Sequence, residues 1–318
     1  MQRANIVVVG GGNWGKNLIR NFNDLGVLKG IVELDPQLRS QLTCQYPHVP
    51  IYEHYAEALA LDDVAIVLAT PAPSHYALAL EALKAGKDLF IEKPMTLKKS
   101  EAEELALYAD QHQQILMVGH LLLYQPAITW MRNYLYSGQG GQVYHVATQR
   151  LNLGTVRRTE NVWWSFSPHD VAILLDLLGN PQLKSVEAVG YCRLQSQIED
   201  EIQVNLTFNS GQTAHLHCSW QWPQKQRGTI VLTDRQMLVY DEIAQSLTLH
   251  HKSIDASLKV QDQGVEVIPV ASDQPLQLEC QHFLDCLKTR QRPHSDGWNG
   301  VRVVEILERV QTVLSTES

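Results

Sequence analysis

Cysteine is scarce and carries no pattern. Cys44, Cys192, Cys218, Cys280 and Cys286 are odd in number and form no C-x-x-C pair, which argues against a disulfide framework or a zinc knuckle. Basic excess is lacking too: 26 Lys and Arg face 34 Asp and Glu, a formal charge of −8, so a general nucleic-acid surface is excluded. No stretch reaches the roughly 18 apolar residues of a membrane span, and the first apolar run, Ile6–Val9, is too short for a signal-peptide core. The expectation is a cytoplasmic protein with no membrane or nucleic-acid partner. What is present, 318 residues of which 44% are hydrophobic and 19% charged, fits a globular chain of about two domains.

The chain is organised around Asn5–Asn17. Ile6–Val9 is too short for a helix and rich in β-branched residues, so it reads as a buried strand that runs into glycine. Gly10, Gly12 and Gly15 match G-x-G-x-x-G: the first turns the chain, the second lets backbone N–H groups approach a pyrophosphate, the third packs helix on strand. The helix that follows points its positive end at the phosphates. A second apolar run, Gly30–Asp35, ends in acids. Glu33 stands about 20 positions after Gly10, where a carboxylate accepts hydrogen bonds from ribose hydroxyls and repels a 2′-phosphate, so NAD is favoured over NADP. Asp35, followed by Pro36, can share that role or open the next turn.

Strands and helices then alternate. Helix periodicity is expected at Trp14–Leu25, Tyr55–Ala60, His75–Ala85 and Ser100–His112, and strands at Ile51–Tyr52, Ala65–Ala69, Asp88–Ile91 and Ile115–Val118. Such alternation over residues 1–120 predicts a parallel, doubly wound Rossmann domain, whose ligands bind beyond the carboxyl ends of the strands. Thr70, Glu92–Lys93 and Gly119–His120 lie there. A partly desolvated ammonium at a strand end, beside a positively charged nicotinamide, can exchange protons near neutrality, which singles out Lys93. Pro94 helps to fix its direction; the alternative is a surface lysine paired with Glu92.

Three stretches carry a family resemblance: Gly10-x-Gly12-x-x-Gly15-x-Asn17, Ala69-Thr70-Pro71 followed by His75, and Glu92-Lys93-Pro94. Together they resemble the glucose–fructose oxidoreductase, inositol dehydrogenase and rhizopine catabolism family. The resemblance implies a two-domain NAD(P)-dependent sugar or cyclitol oxidoreductase with Lys93 as its catalytic lysine. It also implies a cofactor site drawn from Gly10, Gly12, Asn13, Trp14, Gly15, Glu33, Asp35, Thr70, Pro71, His75, Glu92 and Lys93. Ser295-Asp-Gly297 and the helix Val301–Leu314 look like the family's closing segment, which packs back beside the cofactor domain.

Residues 121–318 read differently. After a helix at Pro126–Tyr136, period-two strands dominate, among them Ile202–Phe208 and Ala214–Trp222, with further runs at Val143–Leu151, Ser185–Arg193, Gly228–Thr233, Met237–Tyr240, Ser246–His250 and Val265–Val270. They predict an α+β domain with a large, mainly antiparallel sheet. Its second face is polar yet poor in Lys and Glu, which suits a wet subunit interface, so a homo-oligomer is expected, tetramer before dimer. His215 and His217 share a strand face, but no third ligand is in reach and no metal site is expected.

Asn161–Asp170 is the other chemical stretch. Ser167, Pro168 and Asp170 read as N-cap, N1 and N3 of a helix running to Leu178, which puts His169 in the first turn, kept neutral by the helix's positive end. The resemblance implies that His169 is the catalytic histidine. Many relatives carry an aspartate four residues before it and another acid three after; Ser165 and Ala172 stand there, so Lys93 is the stronger candidate. Arg150, Arg157 and Arg158 form an acid-free basic cluster that can clamp a diphosphate or lie solvated in a loop.

Within the family, Gly119–Pro126, Arg150–Gly154 and Pro168–Asp170 look most like the nucleotide-sugar 3-dehydrogenases, those of UDP-N-acetylglucosamine above all. That likeness implies a UDP-sugar between the domains and oxidation of its 3-hydroxyl with NAD. It further implies transamination by a partner aminotransferase toward diamino-sugar lipid A, and His120 and Tyr124 as substrate contacts beside Lys93 and His169. Trp163 and Trp164 either wall the pocket or pack beneath it. The rival readings are an NAD-using glycosidase of the same fold, an oxidoreductase of another sugar or cyclitol, and a catalytically silent NAD-binding sensor.

Overall fold

The computed structural model describes residues 5–316. The chain divides into two compact units, the first running through Leu121 and taking in Gln274–Glu305, the second comprising Leu122–Asp273 and Ile306 onward. Residues 274–305 therefore group with the first unit; the sequence reading counted them within residues 121–318 while expecting the closing helix to pack back beside the cofactor domain. Their side chains pack on the first sheet, as described next.

In the first unit, β1 (Asn5–Val9), β2 (Leu28–Val32), β3 (Ile51–Tyr52), β4 (Val64–Leu68), β5 (Leu89–Glu92) and β6 (Leu116–Gly119) form a parallel sheet ordered β3-β2-β1-β4-β5-β6. The central strands are buried on both faces, as in a sheet covered by helices on either side. The helices are α1 (Gly15–Asp24), α2 (Pro36–Gln45), α3 (Tyr55–Leu59), α4 (His75–Lys84) and α5 (Lys99–Gln111). Strand order reverses between β2-β1 and β4, the topological switch point at which α/β sheets bind ligands.

Two later segments complete this unit. In α8 (Pro275–Thr289), Phe283 meets Phe90 of β5 edge to face at 5.6 Å. Ser295 hydrogen-bonds β6 both ways, its carbonyl accepting from Val118 N at 2.7 Å and its hydroxyl donating to Val118 O at 2.6 Å. Next comes α9 (Gly297–Thr316), in which Gly300 leaves space that a methyl group could not share with Met95 and Val118. Sequence periodicity had shown neither α2 nor α8. Only Leu42 is buried in α2, so it lacks an apolar stripe, and a charged-type residue, Glu279, interrupts the core face of α8.

The second unit is built on eight strands ordered β14-β13-β12-β11-β7-β10-β9-β8. These are β7 (Val143–Leu151), β8 (Leu183–Tyr191), β9 (Glu201–Phe208), β10 (Thr213–Ser219), β11 (Gln226–Thr233), β12 (Met237–Asp241), β13 (Ser246–Ile254) and β14 (Val260–Ile268). Only the β7–β10 pair is parallel. Burial alternates along β9 and β10, with Ile202, Val204, Leu206 and Phe208 inside. Between α6 (Pro126–Tyr136) and β8 runs α7 (Val162–Leu178), an apolar helix with most side chains buried, ended by Gly179 at φ 78°.

The start of α7 corrects the sequence reading. Asn161 is the N-cap, its side chain accepting from Trp164 N at 3.2 Å, and Pro168 lies inside the helix. His169 is thus two turns in, and the neutralising influence of a helix start, which fades within the first turn, does not reach it. Trp163 is fully buried and donates to Leu307 O at 3.1 Å, so it packs beneath the surface.

Candidate functional site

The loop between β1 and α1 has the shape that a dinucleotide needs. Gly10 adopts φ 95°, and a Cβ there would stand 2.9 Å from Ala69 O. At Gly15 a Cβ would fall 1.9 Å from Gly10 O, so only glycine lets α1 close on the loop. Above Gly12 there is open space, the place for a close backbone approach to a pyrophosphate at the helix's positive end. These three positions fit NAD on this chain's own geometry.

At the end of β2, Glu33 accepts from Gly11 N at 2.7 Å and from Asp35 N at 2.9 Å, one bond to each oxygen. A carboxylate accepts about four hydrogen bonds, so both oxygens retain capacity for ribose hydroxyls. Asp35 fills the turn-opening alternative, its Oδ1 capping α2 through Gln37 N and Leu38 N. The sequence reading missed Arg39, whose guanidinium binds the carbonyls of Glu33 and Leu34 and pairs with Glu53 at 3.0 Å. Replacing Glu33 by Ala is expected to weaken NAD binding by about 10- to 100-fold, the value of one or two bonds to a charged group, and to narrow the preference over NADP. Calorimetric titration with both dinucleotides checks this, and an unchanged NAD affinity would remove Glu33 from the site.

Beyond β4, the buried His75 ring stands with Nε2 2.8 Å from Thr70 O and Nδ1 2.8 Å from Pro94 O; as a neutral ring it donates to one of the two carbonyls, and only as a cation to both. Its pKa is lowered, chiefly by burial, with the two carbonyls opposing and the charge of Lys93 adding to it. His75 therefore lies between the loop after Thr70-Pro71 and the turn after Lys93, tied by a hydrogen bond to one of them. The Lys93–Pro94 peptide is cis.

Lys93 is half-buried, which excludes the plain surface-lysine reading. Beside it Glu92 is buried, Oε1 accepting from Trp14 Nε1 at 2.5 Å and Oε2 from Lys93 N at 3.2 Å. Burial pushes the Glu92 carboxyl up to about 7, against the lowering influence of the Trp14 hydrogen bond and of Lys93. Gly119 supplies the space, since a Cβ there would stand 3.0 Å from the Glu92 carboxyl carbon. His120 is enclosed at 1% exposure with neither ring nitrogen hydrogen-bonded, and burial, helped by the charge of Lys93, pushes it down to about 3. It is therefore an uncharged ring enclosed beside Lys93. Two uncharged imidazoles and one half-titrated carboxyl thus surround the lysine, an environment suited to proton exchange near neutrality.

Sequence reading also missed Glu279. It is fully buried on α8, neither carboxyl oxygen has a hydrogen-bond partner, and burial, then the charge of Glu92, raises its pKa well above the carboxylate range. A raised folded-state value means that stability present below the unfolded value is lost as pH rises, because the unfolded chain releases a proton that the native state keeps. Glu279→Gln is expected to gain on the wild type by about 1.4 kcal/mol per pH unit above roughly pH 4.5. Urea unfolding at pH 5, 6.5 and 8 checks this; a pH-independent difference would show that Glu279 is not held protonated.

In the second unit the expected basic cluster separates. Arg150 is buried and paired with Asp170 through two bonds of 2.8 and 2.9 Å and with Glu242 at 3.1 Å, and Arg227 reaches Glu242 at 3.1 Å. Arg150 is therefore no phosphate clamp, and Asp170 is its partner rather than a helix cap. Arg157 and Arg158 remain in the exposed loop before α7, Arg157 loosely paired with Glu160 at 3.8 Å. His169 and Trp164 are half-buried on α7, the Trp164 indole N–H donating to Gln311 at 3.2 Å. Tyr124 is buried, at 8% exposure. Among the described residues no group of three metal-ligating side chains is found.

Residues 4–120 match the oxidoreductase family with an NAD-binding Rossmann fold, and residues 128–239 match the GFO/IDH/MocA C-terminal domain. UDP-N-acetylglucosamine 3-dehydrogenase of Acidithiobacillus ferrooxidans is 25% identical over 313 residues, 96% of each chain. Its solved structure superposes with a TM-score of 0.88 over 99% of both chains at 24% identity. The NAD-dependent scyllo-inositol 2-dehydrogenase of Bacillus subtilis is 22% identical over 72% of this chain and 69% of its own. A levoglucosan dehydrogenase solved with NADH and L-sorbose shares the fold, with a TM-score of 0.88 at 15% identity over 100% of this chain and 98% of that one. With both domains matched and a loop fitted to the dinucleotide, the chain belongs to the GFO/IDH/MocA family of NAD-dependent oxidoreductases.

Proposed function

We propose that this enzyme oxidises the 3-hydroxyl of a UDP-sugar, UDP-N-acetylglucosamine first, to a 3-keto sugar that an aminotransferase then converts on the way to diamino-sugar lipid A. The observation that carries the reaction type is Lys93, half-buried at the end of β5 among neutral histidines and a carboxyl that titrates near neutrality. Likeness over nearly the full length to UDP-N-acetylglucosamine 3-dehydrogenase supports the substrate class.

In this reading, the Gly10–Gly15 loop and Glu33 hold NAD, which when bound supplies the hydride acceptor. Lys93 takes the hydroxyl proton, with His169 as a second proton carrier and Arg157 or Arg158 toward the diphosphate. The chain works as a homo-oligomer built on the outer face of the large sheet, where Tyr144, Val189, Tyr191 and Ile230 are exposed beside His215 and His217. Solution scattering from a monodisperse monomer would reject that assembly.

Alcohol oxidation by NAD is uphill at neutral pH, so the test needs a trap. Purified protein, NAD and UDP-N-acetylglucosamine are incubated with a sugar aminotransferase and glutamate, and the sugar is weighed by mass spectrometry. A 3-amino product with matching NADH is the expected result. An unchanged sugar in protein that binds NAD would reject this substrate and send the search to UDP-uronates and inositols.

A further inference from the structure

The carboxyl of Glu92 lies where two elements bring opposing influences together. Trp14, at the last variable position of the glycine loop, donates its indole N–H to Oε1, and Lys93 donates its backbone N–H to Oε2. Both favour the charged carboxylate. From the other side comes α8. Phe90 and Glu92 are two apart on a strand and so share a face, while Phe283 and Glu279 are four apart on a helix and do likewise. The Phe90–Phe283 contact therefore brings Glu279 toward Glu92.

Two carboxyls in one buried place do not both ionise. Glu92 has donors on both oxygens and Glu279 has none, so Glu279 keeps its proton and Glu92 is the one that titrates. The remaining groups around it are His120 next to Gly119, uncharged, and the Cys280 thiol, which burial above all holds protonated. His75 feels the charge of Lys93 and is likewise disfavoured as a cation.

We propose that Trp14 is a positioning residue for Lys93: by holding the Glu92 carboxyl as an anion, its indole N–H sets how readily the lysine gives up its proton. The loop that would carry the cofactor's phosphates is then joined by one hydrogen bond to the proton chemistry at the next strand but one. Without that bond Glu92 stays neutral over a wider range, Lys93 loses its negative neighbour, and by reciprocity the lysine sheds its proton at lower pH. The inference rests on Lys93 as the proton acceptor, yet it is tested without any sugar, so failure of the substrate assignment leaves it standing.

The experiment follows two labels in the intact protein by NMR. Carboxyl-13C glutamate reports Glu92, assigned by the signal missing in Glu92→Gln, and 13C-dimethylated lysine reports Lys93, assigned by Lys93→Arg. In the wild type Glu92 is expected to titrate at about 7. Trp14→Phe should raise that midpoint by about one pH unit and lower that of Lys93. Trp14→Gln, whose amide can donate in place of the indole, should keep both near wild type. Glu279→Gln should also leave Glu92 in place, since one neutral group replaces another. Trp14 is 39% exposed at the mouth of α1, so these changes spare the core. An ordinary Glu92 midpoint near 4.5, or a Lys93 signal that ignores Trp14→Phe while Glu92 moves, would overturn the proposal.

Discussion

Lys93→Ala is expected to lower sugar-dependent NADH formation by about 100- to 10,000-fold, the range for losing a general acid–base group, while NAD affinity stays near wild type. The split follows from where the two jobs sit. Cofactor binding draws on the glycine loop, whose Gly10 and Gly15 accept no side chain, and on the Glu33 carboxylate after β2. In the proposed mechanism proton transfer draws on the end of β5. The variant should also change Glu92: without the ammonium one of the three influences favouring its charge is gone, so its midpoint moves above about 7. Turnover and affinity are measured together, by coupled NADH formation with the aminotransferase trap and by calorimetry. Retained turnover would take Lys93 out of the mechanism, and lost NAD binding would show that the substitution had disturbed the Glu92–Trp14 bond rather than the chemistry.

What was legible in the sequence was local. A four-residue apolar run into G-x-G-x-x-G, an acid at the end of the next strand and Glu92-Lys93-Pro94 after another are patterns within a few residues, and each sits where the strand ends put it. Period-two alternation gave the second sheet for the same reason, because one face of β9 and β10 is buried. The misreadings came where a distant partner decides. Ser167, Pro168 and Asp170 mimic a helix start, but Asn161 caps the helix and Asp170 is spent on Arg150, 20 residues earlier in the chain. Asp35-Pro36 reads in sequence as a possible turn, and no helix is expected behind it, because that helix buries only Leu42 and shows no stripe. Glu279 on a core-facing position of α8 contradicts any hydrophobic pattern, and only the fold reveals that Glu92 is its neighbour.

Arg150→Ala should be among the most damaging single changes in the second unit. Arg150 and Asp170 are both buried and joined by two parallel hydrogen bonds, with Glu242 and Arg227 extending the ladder. Burial lowers the pKa of the guanidinium, but Asp170 and Glu242 outweigh that and hold it above its usual value. Removing it leaves Asp170 as a buried anion without its partner, a loss of about 3–5 kcal/mol, or on the order of 10 °C in Tm. Arg150→Met with Asp170→Leu removes both charges and should cost less than Arg150→Ala alone, because an apolar pair replaces an orphaned ion. Glu242 gives the pH dependence. Burial raises its pKa, but Arg150 and Arg227 outweigh this and hold it below the usual carboxylate range. Its share of stability is thus present above the unfolded value and lost as pH falls through the folded one. In Arg150→Ala that acid-side loss should shrink, so wild type and variant converge as the medium is acidified. Thermal unfolding from about pH 7 down to about pH 2.5, through the window below the unfolded carboxylate value, tests both statements, and a variant that tracks the wild type at constant distance would assign the cost to lost packing of the arginine stem instead of to the charge ladder.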